Sequence, residues 1–131
     1  MLVKEVMTPK EKLIIVKQMT NVREALSLMK KHQIKALIVD KNCEHGAYGL
    51  VTFKNILQSI VAEDGDIDLL NVYDIAVTPV ISVSQNLDMK YAAQMMVKNS
   101  IKRLLVIDNN ELYGILTMSD IIGILLEENN I

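Results

Sequence analysis

The chain has 131 residues and is half hydrophobic, enough for one compact core or two small fused halves; its 23% charged residues exclude a disordered or low-complexity segment. A net charge of −2, no basic stripe and only 4% aromatic residues argue against nucleic acid as the main partner. The single cysteine, Cys43, permits no internal disulfide and fits a reducing compartment.

Residues 1–12 mix Lys4, Glu5, Lys10, Glu11 and Lys12 with apolar positions, unlike a signal peptide. No apolar run approaches the roughly 20 residues of a membrane span, so a soluble, cytoplasmic protein is expected. Residues 13–16, rich in β-branched side chains, predict a strand. Asn21, with Glu24 three residues on, predicts a helix start, and Val22, Ala25, Leu26, Met29 and the stem of His32 recur at helical spacing. The apolar run 36–39 reads as a buried strand. A long turn at 41–46, a strand at 48–51 and a helix after Thr52 follow. Ala62-Glu63-Asp64-Gly65-Asp66 is acidic and contains glycine, as a linker would.

The same order then returns. A strand is predicted at 80–83, and a helix capped by Asn86 carries Leu87, Tyr91, Ala92, Met95 and Met96 to about Lys98. A strand at 104–107, a turn at Asp108-Asn109-Asn110, a strand at 112–116 and a helix after Thr117 complete it. The residues repeat along with the pattern. Val6-Met7-Thr8-Pro9 matches Ala76-Val77-Thr78-Pro79, Ile34-Lys35-Ala36-Leu37 matches Ile101-Lys102-Arg103-Leu104, and Tyr48-Gly49-Leu50-Val51-Thr52 matches Tyr113-Gly114-Ile115-Leu116-Thr117. Ordered matches whose spacing drifts only in loops indicate duplication. We therefore expect an α/β (α+β) fold: two pseudo-symmetric β-α-β-β-α repeats, 1–63 and 71–131, joined by 64–70 and packed through their sheets, with clefts between the copies.

The segment Gly114-Ile115-Leu116-Thr117-Met118-Ser119-Asp120 runs from a buried strand into a helix. Gly114 would let a ligand approach the backbone, the helix start offers unpaired N–H groups, and Asp120 offers acceptor oxygens suited to the cis-diol of a ribose. Lys102 and Arg103 could reach a phosphate, and Val80 and Ile81 could flank a flat base. Thr at an N-cap with Asp three residues on is equally an ordinary helix start, and paired surface cations are more often solvated than ligand-bound.

The twice-repeated pattern, ending in Y-G-h-h-T-x-x-D-h-h, where h is apolar, resembles the CBS domain, named from cystathionine β-synthase, over nearly the whole chain. The resemblance implies a tandem pair without enzymatic activity that senses an adenosyl ligand (AMP, ADP, ATP or S-adenosylmethionine) in the clefts between the copies and requires no other cofactor. It also implies a homodimer and a regulated protein partner. Matched residue by residue, it assigns Thr117 and Asp120 to the ribose, Lys102 and Arg103 to phosphates, and Thr78, Val80 and Ile81 to the base, with Ser119 a further ligand-binding residue. The equivalent first-copy site, Thr52, Asn55, Lys35 and Ile15, departs from the pattern: Asn55 stands where the family has Asp, and Ala36 where the second copy has Arg103. That site should be weak or empty.

Other signals count for less. Cys43, Glu44 and His45 lack the convergent partners of a metal site, and no nucleophile–base arrangement stands out around the two histidines. Most of the eight methionines read as core filler. Residues 121–126 (IIGILL) are too apolar for a free surface and read as core or dimer face. A ligand-free dimerisation module is the alternative function, and a small enzyme a third.

Overall fold

The computed structural model describes all 131 residues. The elements begin with α1 (Val3–Val6), β1 (Thr8–Pro9), a 3-10 turn (Lys10–Lys12), β2 (Ile15–Val16), α2 (Val22–His32), β3 (Ala36–Val39) and β4 (Gly49–Thr52). They continue with α3 (Phe53–Ile56), a π-helical stretch (Leu57–Ala62), α4 (Val72–Ile75), β5 (Ser82–Val83), α5 (Met89–Asn99), β6 (Arg103–Asp108), β7 (Glu111–Thr117) and α6 (Met118–Glu128). Two compact units form, one of residues 14–80 and one of residues 1–13 with 81–131. The units do not follow the sequence repeats: the first thirteen residues pack with the second copy, and residues 64–80 pack with the first.

In unit 14–80, β2 runs parallel to β3 and β3 antiparallel to β4. Leu37, Val39 and Val51 point to one face and pack with Val22, Ala25 and Met29 of α2. The alternation along each strand puts Ile15, Ile38, Leu50 and Thr52 on the other face. Helix α2 starts where its sequence says: Asn21 Oδ1 accepts from the Glu24 N–H at 3.1 Å. It ends at Gln33 in the left-handed conformation (φ 53°). His32, expected on the apolar stripe, is exposed at the helix end. The acidic stretch is pinned to α2: Val22 and Arg23 N–H donate to Leu70 and Ile67 carbonyls, and Arg23 pairs with Asp68.

In the other unit the sheet order is β1-β7-β6-β5, with β5 parallel to β6 and the remaining pairs antiparallel. Leu104, Val106 and Leu116 share a core with Val3, Ala92 and Met96. Asn109 and Asn110 both take positive φ (51° and 60°), so the predicted Asp-Asn-Asn turn is a two-residue hairpin between β6 and β7. The predicted cap at Asn86 is corrected to Asp88, which accepts from the Lys90 N–H at 2.9 Å. The N-terminal segment is the reason. Val3 and Lys4 N–H bond the carbonyls of Leu87 and Gln85, and the Leu87 N–H bonds Ser84 O, which holds 84–87 as a turn. Tyr91, expected on the buried stripe, is 52% exposed, whereas Ala92 and Met96 are buried. No helix is long and apolar enough to cross a membrane.

Candidate functional site

Thr117 closes β7 and is the N-cap of α6. Its hydroxyl oxygen accepts from the Asp120 N–H at 3.1 Å, and Asp120 Oδ2 accepts from the Thr117 N–H at 2.8 Å. This reciprocal box is what the residue pattern gives any helix start. Similar back-bonds from the third helical residue occur at Glu5, Asn55 and Asp74. The box leaves Asp120 Oδ1 and the proton of the Thr117 hydroxyl outside it. Of the first-turn amides, that of Met118 donates to Lys102 O at 2.9 Å and that of Asp120 to Thr117, which leaves the exposed Ser119 N–H. One acceptor and two donors therefore remain within a single turn, at the positive end of an eleven-residue helix.

Arg103 stands directly opposite Thr117 in the β6–β7 ladder, on the sheet face away from the Leu104–Leu116 core pair. It is half-buried, Lys102 beside it is exposed, and neither has a carboxylate within 4 Å. Ile81 is 44% exposed, and its carbonyl accepts from Leu105 N–H at 3.2 Å, which ties it to β6. Lys102, Arg103, Thr117, Ser119, Asp120 and Ile81 thus belong to one unit. Thr78 and Val80 belong to the other. Thr78 lies at the start of β4, where Val77 bridges Leu50 and a Cβ on Gly49 would sit 2.7 Å from Thr78 Oγ1.

The matching position beside β7 is held by residues the sequence reading missed, Met7 and Thr8. A Cβ on Gly114 would run into the Thr8 carbonyl and stand 2.9 Å from Met7 Sδ. Gly114, expected to admit a ligand, therefore serves the close pairing of β1 with β7. The repeated Thr-Pro motif was the available signal, but a linear motif does not say which copy's strand it will join.

The first-copy corner differs in its bonding. Asn55 Oδ1 accepts both the Thr52 N–H at 2.8 Å and the Thr52 hydroxyl at 3.0 Å. The threonine proton is spent, and the amide turns only its NH2 group outward. Ile15 and Thr52 share the sheet face that Ala36 occupies in place of an arginine, and Lys35 is exposed. Cys43 is exposed in the loop after β3, and no group of three or more potential metal ligands forms anywhere.

The CBS domain family matches residues 3–62 and residues 72–127. The chain belongs to the CBS domain family and carries the domain twice. It is 32% identical over 101 residues to the CBS domain-containing protein YhcV of Bacillus subtilis, covering 76% of this chain and 69% of that protein. It is 30% identical over 97 residues to an uncharacterized protein of Methanopyrus kandleri, covering 73% of this chain but only about half (49%) of that one. Among solved structures, the hexameric CBS-CP12 protein from bloom-forming cyanobacteria superposes with a TM-score of 0.84 at 30% identity, over 93% of this chain and 69% of that one. CBSX2 in complex with AMP gives 0.81 at 23% identity, over 96% and 97% of the two chains. The CBS domain pair of protein MJ0100, in complex with 5′-methylthioadenosine and S-adenosyl-L-methionine, gives 0.80 at 24% identity, over 95% and 99%. The last two identities speak to the fold alone.

Proposed function

We propose that this CBS pair is a non-catalytic, cytoplasmic regulatory module that binds an adenosyl nucleotide, AMP, ADP, ATP or S-adenosylmethionine, and signals to a partner protein by a shift between conformations. The observation that carries the reading is the partly spent corner at the start of α6. Asp120 Oδ1 can accept from a ribose hydroxyl, and the Thr117 hydroxyl and Ser119 N–H can donate to the sugar or to a bridging oxygen. Arg103, opposite Thr117, and Lys102 supply unpaired positive charge for a phosphate. Ile81, in the same unit, is the candidate lining for the base. The corner at Thr52, Asn55, Lys35 and Ile15 binds weakly or not at all, because its hydroxyl and amide oxygen are bonded to each other. Two fold relatives carrying adenosyl compounds support the ligand class.

Binding shifts a conformational equilibrium only as far as the ligand's affinities for the two states differ. The chain also acts as a homodimer. A ligand-free dimerisation module is the second reading, favoured by the exposed stripes Phe53, Leu57, Val61 and Ile122, Leu125, Leu126.

A thermal melt with each of the four adenosyl compounds separates the two. Ligand at a hundred times its dissociation constant adds about 2.7 kcal/mol. For a chain of this size, that raises the melting temperature by roughly 8–13 °C. No shift with any of the four overturns the sensor and leaves the dimerisation module.

A further inference from the structure

The duplication supplies an internal comparison for one exposed corner. In unit 14–80 the start of α4 lies along the segment before α2. Asn71 forms an antiparallel bridge with Asn21, and the N–H groups of Val72 and Tyr73 donate to the carbonyls of Thr20 and Gln18 at 2.7 and 3.0 Å. In the other unit Leu2 bridges Asp88 in the same way, and Val3 and Lys4 donate to the carbonyls of Leu87 and Gln85 at 2.8 and 3.0 Å. The main-chain bonds are alike, but the side chains are not. Where the second unit carries exposed Lys4 and Asn86, unit 14–80 carries Tyr73 and Met19, 59% and 73% exposed. Asn71 Nδ2 reaches the Met19 sulfur at 3.8 Å, and Leu69, two residues before Asn71, is 77% exposed. Polar residues hold the equivalent corner, so folding does not require these apolar side chains. Solitary exposed apolar residues are ordinary, whereas a cluster standing in place of polar equivalents marks a binding surface, and Tyr and Met are enriched in such surfaces.

The corner is also acidic. Residues 63–74 hold Glu63, Asp64, Asp66, Asp68 and Asp74, all exposed, and no lysine or arginine. On the facing segment Arg23 is committed to Asp68, and Lys17 is exposed beside Gln18. An apolar patch in a negative field favours an apolar segment flanked by Lys or Arg and disfavours an acidic one. A second copy of the same corner would set like charge against like. We propose that Met19, Leu69 and Tyr73 form the surface on which the regulated protein docks, through a basic segment with an apolar anchor. The proposal rests on the reading of a module that signals to a partner, and names where that partner is held. Salt screens exposed charge, so docking should weaken as ionic strength rises.

The probe is a phage-displayed library of short random peptides, panned on the full chain at low salt. Recovered peptides are titrated by fluorescence anisotropy against the wild type, Leu69→Ser and Met19→Asn/Tyr73→Lys. The double variant places the second unit's own residues in the first corner, so its melting temperature should stay within about 2 °C of wild type. Leu69→Ser, confined to an exposed side chain, carries the test if the double variant unfolds. The expected peptides hold an apolar side chain next to Lys or Arg and bind the double variant about tenfold or more weakly. Peptides that bind all three proteins equally, that are acidic, or that never emerge overturn the docking surface. The thermal melt with adenosyl compounds reads the sensor separately: a shift there leaves the sensor standing when the surface fails, and no shift removes both. A wild-type dimer that the double variant dissolves assigns the corner to a second copy and overturns the basic segment as its occupant.

Discussion

Asp120 does two jobs that one substitution separates. As a cap it needs a single acceptor for the Thr117 N–H, and Asn55 shows that an amide oxygen fills that role at the equivalent helix start. As the proposed ribose ligand it needs the second carboxylate oxygen. Asp120→Asn should therefore keep the melting temperature within about 2 °C of wild type. It should also lose a charge-assisted bond worth about 1.5–3 kcal/mol. That is a tenfold to hundredfold drop in nucleotide affinity by calorimetry. Equal affinity in both proteins would remove Asp120 from the site. Asp120→Ala should also lose the back-bond from the Thr117 N–H, at a cost of about 1 kcal/mol. Gly114→Ala should destabilise the fold by about 1–3 kcal/mol, because the added methyl meets the Thr8 carbonyl, which cannot move without parting β1 from β7. Denaturant unfolding measures it, and a neutral outcome would mean that β1 shifts freely.

Among the elements, α2 and the acidic stretch after the π-helical turn form a linked pair. The Arg23 hydrogen bond holds the Asp68 carboxyl below its ordinary range. A lowered folded-state pKa stabilises above the unfolded value, and that contribution disappears as pH falls through the folded one. Both side chains are exposed, so the effect is small and screened by salt. Arg23→Gln should narrow the loss of melting temperature between about pH 6 and pH 3, and about 0.5 M salt should narrow it likewise. An identical acid profile in the variant would mean that the pair contributes nothing. The strands of the larger sheet lie at the opposite extreme of burial. Leu104 is fully buried among α1, α5, β6 and β7 residues, and Leu104→Ala should cost about 2–5 kcal/mol in a denaturant titration.

For the molecule as a whole, duplication does not mean two self-contained halves. Residues 1–13 pack with 81–131, and 64–80 pack with 14–63. Each short Thr-Pro segment lies beside the final strand of the other repeat: Thr8 and Pro9 pair with Ile115 and Gly114, and Val77 bridges Leu50. Cutting the chain at the sequence boundary, after about residue 63, would strip both units of a packed segment. Each fragment expressed alone should show a broad melt or none, in place of the cooperative transition expected of the full chain. A sharp transition in either fragment would show that the exchange is dispensable.

The amino-acid order by itself determined the duplication, the β-α-β-β-α succession, the apolar strands and the family. These rest on local patterning and repeated motifs, which survive in a linear string. The cap at Asn21 and the box at Thr117 and Asp120 were legible for the same reason, since each joins residues three apart. Tertiary structure decided whatever depended on distant partners. The cap moved from Asn86 to Asp88 because residues 3 and 4 claim the carbonyls of Gln85 and Leu87. Gly114 proved to serve the packing of Thr8 and Met7, and Thr78 to adjoin Gly49, because a strand edge accepts whichever segment reaches it, and sequence distance does not record which one that is.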